Sequence, residues 1–191
     1  MGIKVLLGAE GEYACEMLAA NENSLKYVDY LIVPHSHTHM KGLVLPQECV
    51  GDPKKHAEYL VNSFRSLCNH ELNNHIFGIA HPMYPIGEKI EYAEMCYSHI
   101  SDETLRELAF TAKENNIALE ANLSTLSGLP KDTCYKRFFA ECKKAGCSFF
   151  LGSDAHSIKT LELHNRQTEL LSLVGLDEDD FKAAEHRILN V

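Results

Sequence analysis

Short apolar runs alternate along this chain with longer stretches in which apolar residues recur at helical spacing. The runs are rich in Ile, Val, Leu and Phe, show little polar alternation, and cover residues 3–9, 27–33, 75–80, 117–123 and 147–152. Uninterrupted apolar runs of this length are typical of strands that are covered on both faces. The pattern therefore predicts five buried β-strands.

Helices are predicted between and after these strands. Asp52 and Ser101 indicate helix starts, because their side chains can accept a free backbone N–H of the first helical turn. Pro53 supports the first of these starts, because proline has no N–H that would be left unpaired there. Gly146 is a stop signal. Strands that alternate with helices pair in parallel, so we expect one α/β domain over residues 1–191. The predicted helices cover residues 53–72, 90–100, 101–116, 131–146, 157–176 and 177–189.

Composition narrows the class of protein. The 191 residues are 45% hydrophobic and 24% charged, which is ordinary for a globular domain. With 18 basic and 27 acidic residues the net charge is −9, and an acidic surface argues against general nucleic-acid binding. The seven cysteines include no C-x-x-C pair, which favours free thiols in a reducing compartment. No apolar run approaches the ~18 residues of a membrane span, and the first residues do not resemble a signal peptide, so we expect a cytoplasmic protein without membrane association.

Side chains that can bind metal lie at or near the carboxyl end of every predicted strand. In parallel α/β folds these ends gather at one edge of the sheet, where active sites are built. Imidazole and carboxylate ligands together suit zinc, manganese or iron. The sequence therefore predicts a shared metal site. Its candidates are Glu10, the three histidines of "PHSHTHM" (His35, His37 and His39), His81, Glu120, Asp154 and His156.

Each candidate taken alone has an ordinary structural explanation. A histidine after a strand is often a hydrogen-bonded loop residue, and Asp154 can cap the next helix. Glu120 can form a salt bridge or face outward, and Glu12 is expected at the surface. The repetition at successive strand ends is what favours a common site.

The chemistry that such a site supports is hydrolysis. A carboxylate can bridge two cations, and a two-metal site favours phosphoryl transfer to water. The chain has neither a G-x-S-x-G nucleophile elbow nor a G-x-x-x-x-G-K-[ST] phosphate loop. Attack by metal-activated water is therefore the economical mechanism.

Five segments between about residue 5 and residue 160 together resemble a known family. "LLGAEGEY", "VDYLIVPHSH", "GIAHPMYP", "ALEANLST" and "LGSDAHS" are similar, in this order, to the G-x-E, strand-then-His, A-H-P, E-x-N and S-D-A-H motifs of the PHP (polymerase and histidinol phosphatase) superfamily. The resemblance implies a distorted (β/α)₇ barrel. It also implies one to three divalent cations, zinc, manganese or iron, that hydrolyse phosphoesters.

The resemblance also assigns roles to residues. It implies that Glu10 is a bridging carboxylate, that His37 and His81 share a cation with it, and that Asp154 and His156 bind further cations. His81 and Asp154 would be the catalytic residues. Glu120 and Asn122 would lie near the site without being ligands. His39 is the fallback for His37, and His35 is expected behind the site or exposed.

The chain departs from the family at its beginning. The family starts with an H-x-H motif on its first strand, whereas this chain begins almost at G-x-E. We therefore expect an incomplete barrel of about five parallel βα units, truncated at its N-terminus relative to the family. An opened barrel exposes sheet edges, which favours a homo-oligomer.

The expected function is hydrolysis of a phosphomonoester in a small metabolite such as histidinol phosphate. Candidate cations for the phosphate are Lys89, Lys131, Lys159 and Arg166. One alternative is a non-catalytic remnant whose incomplete metal site serves binding or assembly. Another is an amidohydrolase-like enzyme, although no motif clearly supplies the bridging lysine that such enzymes use.

Overall fold

Five parallel strands form the central sheet of the protein. The structure is a computed structural model, and it describes residues 5–38 and 43–181. The strand order is β1-β4-β5-β6-β7, so neighbours in the sheet are also successive along the chain, apart from a small antiparallel hairpin, β2-β3. This arrangement confirms the α/β class and the parallel pairing. The strands are β1 (Gly8–Glu10), β2 (Tyr13–Ala14), β3 (Met17–Leu18), β4 (Tyr30–Pro34), β5 (Ile76–Ala80), β6 (Ala118–Asn122) and β7 (Phe149–Gly152).

Eight α-helices lie within the described residues, and their ends follow the predicted signals where those exist. Asp52 accepts the backbone N–H groups of Lys54 and Lys55 at 3.1 Å, and Ser101 accepts that of Thr104 at 3.1 Å. Gly146, at φ 74°, ends its helix in the left-handed conformation that glycine adopts without strain. The helices are α1 (Glu22–Leu25), α2 (Pro53–Cys68), α3 (Ile90–Ser98), α4 (Asp102–Glu114), α5 (Leu123–Gly128), α6 (Lys136–Ala145), α7 (Ile158–Leu161) and α8 (Gln167–Ser172).

Three predicted helices differ from the structure. Residues 157–176 form α7, a 3₁₀ segment (Glu162–Arg166) and α8 rather than one helix. The helix predicted at 131–146 begins only at Lys136, because Glu94 accepts the Thr133 hydroxyl and, at 2.7 Å, the Cys134 backbone N–H in a turn before it. Of the helix predicted at 177–189, residues 178–181 form a 3₁₀ turn and residues 182–189 lie outside the described residues.

The two faces of the sheet bury different side chains. Leu31, Val33 and Leu119 join the main core, together with apolar residues of α2, α4 and α6. Alternate strand residues point the other way, where Phe77 and Ala118 form a smaller cluster with Tyr30, Ile32 and Phe150 packed against it. Because residues two apart on a strand share a face, Glu120 lies on the same face as Ala118.

The β2-β3 hairpin turns through Cys15 and Glu16, which have φ values of 50° and 62°. Two successive residues with positive φ are typical of a type I′ turn, which usually contains Asn or Gly. The hairpin follows β1 directly and so stands beside the carboxyl edge of the sheet. In the two described stretches, no helix has both the length and the apolar character needed to cross a membrane.

Candidate metal centre

Glu10, His37 and His81 come together at the carboxyl edge of the sheet. Glu10 ends β1, His37 follows β4 by three residues, and His81 directly follows β5. One ligand atom from each residue lies within 4.8 Å of the other two. Strands β1, β4 and β5 are neighbours in a parallel sheet, so their carboxyl ends bring these side chains together, as the predicted parallel pairing implies.

Glu12 orients His37. Both carboxylate oxygens of Glu12 lie 3.0 Å from Nδ1 of His37, so this nitrogen donates its proton to the carboxylate. That tautomer makes Nε2 the nitrogen suited to bind a cation, and a carboxylate behind the ring raises its basicity. Glu12 is expected at the surface, and its side chain is partly exposed, at 32%; its contact with His37 is not predicted by the sequence.

His81 is held in a strained backbone conformation with φ 45°. A non-glycine residue in this region costs about 1–3 kcal/mol, and such residues are enriched at functional sites. Glu120 stabilises the conformation by accepting the His81 backbone N–H at 2.9 Å. The imidazole is also surrounded by polar groups, with Thr125 Oγ1 3.4 Å from Nδ1 and Asp154 Oδ2 3.8 Å from Nε2.

Glu120 is a buried carboxyl group beside the ligands, as the resemblance implies. Burial raises the pKa of Glu120 to about 6, although hydrogen bonds from the His81 backbone and the Asn122 amide act in the opposite direction. Gly152 is packed against Glu120 so closely that a Cβ atom there would overlap Oε1. Burial also raises the pKa of Glu10, while His37 and His81 oppose that rise.

Asp154 and His156 are exposed, as is Glu10, whereas His37 is half-buried and His81 is buried. Asp154, at φ 48°, approaches His81 with one oxygen and holds Nε2 of His156 at 3.0 Å with the other. The side chain of His156 is 88% exposed. Among the residues that the structure describes, Glu10, His37 and His81 are the one set of three His, Cys, Asp or Glu residues with ligand spacing.

His35 has a structural role. It is fully buried, its Nε2 accepts the Met83 backbone N–H at 2.8 Å, and its ring packs edge-on against Phe64. Burial lowers the pKa of His35 to about 3, so the ring is neutral. Of the two alternatives expected for His35, exposure is wrong, and the buried position agrees with a place behind the site; His39 lies outside the described residues.

The predicted phosphate-binding cations are at the surface. Arg166 donates two hydrogen bonds to Glu169, at 3.0 and 2.8 Å, so its guanidinium is already engaged. Lys89, Lys131 and Lys159 are exposed.

Comparison with known proteins adds no relative. No family model matches the chain, and no curated protein matches it. The geometry of the centre is therefore the basis for its chemistry.

Proposed function

We propose that this protein is a metal-dependent hydrolase of the PHP type that cleaves a phosphomonoester of a small metabolite. The observation that carries the proposal is the convergence of Glu10, His37 and His81 within 4.8 Å at the carboxyl edge of a parallel sheet. Five parallel strands in chain order, with candidate ligands at the ends of the first three, are what a partial PHP barrel would contain.

The donor set fits a catalytic divalent cation. Two imidazoles and one carboxylate are three protein ligands, and catalytic sites typically keep a further position for water or substrate. Nitrogen and oxygen donors of this kind suit zinc, manganese or iron. A cation held by Glu10, His37 and His81 would supply Lewis acidity towards water and the phosphoryl oxygen.

The protein's own residues would position the reactants and move the proton. In the hydrolysis, a water oxygen adds to phosphorus, the bond from phosphorus to the alcohol oxygen breaks, and the proton lost by water ends on the alcohol. Asp154 is half-exposed at the mouth of the centre, and its Oδ2 lies 3.8 Å from Nε2 of His81. We assign the proton transfer to Asp154, with His81 as its neighbour, while Glu12 keeps His37 in the ligating tautomer.

A second candidate is a metal-binding module without turnover. Asp154 and His156 pair with each other at 3.0 Å, whereas the PHP resemblance uses these two residues to bind further cations. A centre with a single cation would have fewer groups to stabilise charge on the phosphoryl group.

Metal content and turnover, measured on the same samples, test both candidates. The chain is stripped with chelator and reloaded with Zn²⁺ or Mn²⁺. Bound metal is then determined by mass spectrometry, and hydrolysis is followed with p-nitrophenyl phosphate. We expect about one tightly bound cation, loss of metal in His81→Ala, and loss of turnover with retained metal in Asp154→Ala. His75→Ala is the matched control, because His75 is exposed and precedes β5 at the opposite edge of the sheet.

The outcomes separate the candidates. Wild-type metal content in His81→Ala would overturn the assigned centre. Full metal content without turnover would favour the binding module. Turnover that survives in Asp154→Ala would remove the proton-transfer role.

A further inference from the structure

A cavity of about 580 Å³ opens beside the candidate metal centre. Glu12, His37 and Thr38 form one end of it, so the cavity and the ligand group share the His37 side chain. The rest of the wall comes from the β2-β3 hairpin, the segment that follows the described residue Leu43, and α2. These lining residues are Tyr13, Ala14, Cys15, Met17, Leu18, Ala19, Leu43, Val44, Pro46 and Tyr59.

The described wall of the cavity is mainly apolar. Most of the lining side chains are aliphatic or aromatic. Apart from the tyrosines, the ionisable residues of the described wall are Glu12, His37 and Cys15. Glu12 is already bonded to His37, and the Tyr13 hydroxyl already donates to Ser66 at 2.7 Å. No lysine or arginine is among the lining residues that the structure describes.

Such a wall discriminates against charged and hydroxyl-rich molecules. A second phosphate would find no cation among the described lining residues and would face the Glu12 carboxylate. Sugar hydroxyls would lose water without gaining partners, and buried polar groups without hydrogen bonds are costly. An aryl or alkyl group, in contrast, would gain from burial against Leu18, Val44 and Tyr59.

We infer that this cavity holds the alcohol portion of the substrate and that this portion is apolar and uncharged, such as an aryl or long alkyl group. The inference rests on the proposed function, because it takes the bound group to be the one released when the phosphoester is cleaved. A volume of about 580 Å³ lies within the range of small-molecule sites, which are mostly apolar and carry few polar groups.

Binding is tested separately from turnover. Calorimetric titration of 2-naphthol into the metal-free and zinc-loaded protein reports on the cavity alone. Val44→Lys places a cation on the rim, and because Val44 is 80% exposed the substitution is compatible with folding. Val50→Lys is the matched control, because Val50 is also exposed, at 57%, and does not line the cavity. We expect Val44→Lys to weaken naphthol binding at least fivefold and Val50→Lys to leave it within twofold.

Turnover tests the assignment of the cavity to the alcohol. We expect kcat/KM for 2-naphthyl phosphate to exceed that for glycerol 2-phosphate by about tenfold or more, which is the scale of discrimination that apolar contacts supply. Val44→Lys should lower kcat/KM for the naphthyl ester at least fivefold more than for the glycerol ester. Met17→Lys, at another exposed position of the wall, should act in the same direction.

The failures are distinguishable. Equal naphthol binding in the Val44 and Val50 variants would overturn the cavity as an apolar site. Turnover of both esters without a naphthyl preference would overturn the inference and leave the hydrolase function standing. Hydrolysis of neither ester by fully metal-loaded protein would overturn the hydrolase function itself, and with it the role of the cavity in releasing an alcohol.

Discussion

Replacement of Glu12 by glutamine tests how the candidate centre is organised. Both oxygens of the Glu12 carboxylate lie 3.0 Å from Nδ1 of His37. Glutamine keeps the shape and one acceptor oxygen but removes the negative charge. The substitution therefore changes the basicity of a ligand without removing the ligand.

The expected size follows from this contact. Loss of a partner behind a metal-binding histidine typically lowers metal affinity 10- to 100-fold. Because glutamine still accepts a hydrogen bond, we expect about a tenfold weaker zinc affinity, or about 1.4 kcal/mol, for Glu12→Gln. Glu12→Ala, which removes both charge and acceptor, should approach the upper end of that range.

Glu16→Gln is the control for charge alone. Glu16 is exposed at the tip of the same hairpin, and the substitution changes the net charge by the same unit. Water and salt screen exposed charges strongly, so we expect its effect on zinc affinity to be about twofold or less. Competition with a chromophoric chelator measures all four affinities. Equal losses in Glu12→Gln and Glu16→Gln would refute the orienting role, since only bulk electrostatics would then remain.

Three further outcomes are expected. Zinc at 100 times its Kd should stabilise the fold by about 2.7 kcal/mol and raise Tm by about 5–10 °C in scanning fluorimetry, whereas an unchanged Tm would contradict binding to the folded centre. His56→Leu should raise the urea-unfolding free energy at pH 8 by about 1–3 kcal/mol, because His56 is buried and neither ring nitrogen has a partner among the described residues. Burial lowers the pKa of His56 in the folded protein, so as the pH falls His56 is protonated in the unfolded chain before it is protonated in the folded protein. Between pH 8 and pH 5.5, the unfolding free energy of the wild type should therefore fall by up to about 1.4 kcal/mol more than that of the variant. Parallel dependences of the two unfolding free energies on pH would refute this explanation. Gly152→Ala should lower the unfolding free energy by about 1–3 kcal/mol and weaken zinc affinity, because the added Cβ would displace Glu120 from the His81 backbone. Unchanged stability and zinc affinity in this variant would show that Glu120 can move without consequence.

The apolar pattern of the chain predicts the positions of the strands well, but the prediction that all five strands are buried is wrong. Only β5 and β6 are buried throughout, whereas β4 and β7 include half-buried residues and β1 has no buried residue. Four apolar runs lie within a few residues of β4, β5, β6 and β7. The helix predicted at 157–176 breaks because its middle has no face to bury. Within that segment the fully buried residues are confined to its end, at Leu170, Leu171, Val174 and Leu176. The hairpin turn at Cys15 and Glu16 escapes prediction because it lacks the usual Asn-Gly signal.

The candidate centre is predictable only in part, and the limit is physical. Strand ends identify Glu10, His81 and the tract that contains His37, because topology brings these positions together; the choice of His37 within the tract comes from the family resemblance. The contact between His37 and Glu12 depends on the direction in which the Glu12 side chain points after β1 ends, and the spacing of residues in the sequence does not determine that direction. His35 and His37 stand two apart in one tract, yet one is sealed in the core and the other faces the centre, because β4 ends at Pro34 and the alternation of strand faces ends with it.

The loops that carry the two candidate histidine ligands are held by buried contacts of residues outside the candidate ligand set. His35 ties the loop after β4 to Met83, and Ser36 donates to the Tyr84 carbonyl at 2.9 Å. The hydroxyls of Tyr97 and Tyr135 donate to the carbonyls of Met83 and Pro82, at 2.9 and 2.7 Å, from helix α3 and from the residue that precedes α6. These contacts fix residues 82–84, which directly follow the strained His81. The fold itself assembles the ligand group, so little binding energy has to be spent on ordering these loops, and metal affinity should depend on core residues that never touch a metal.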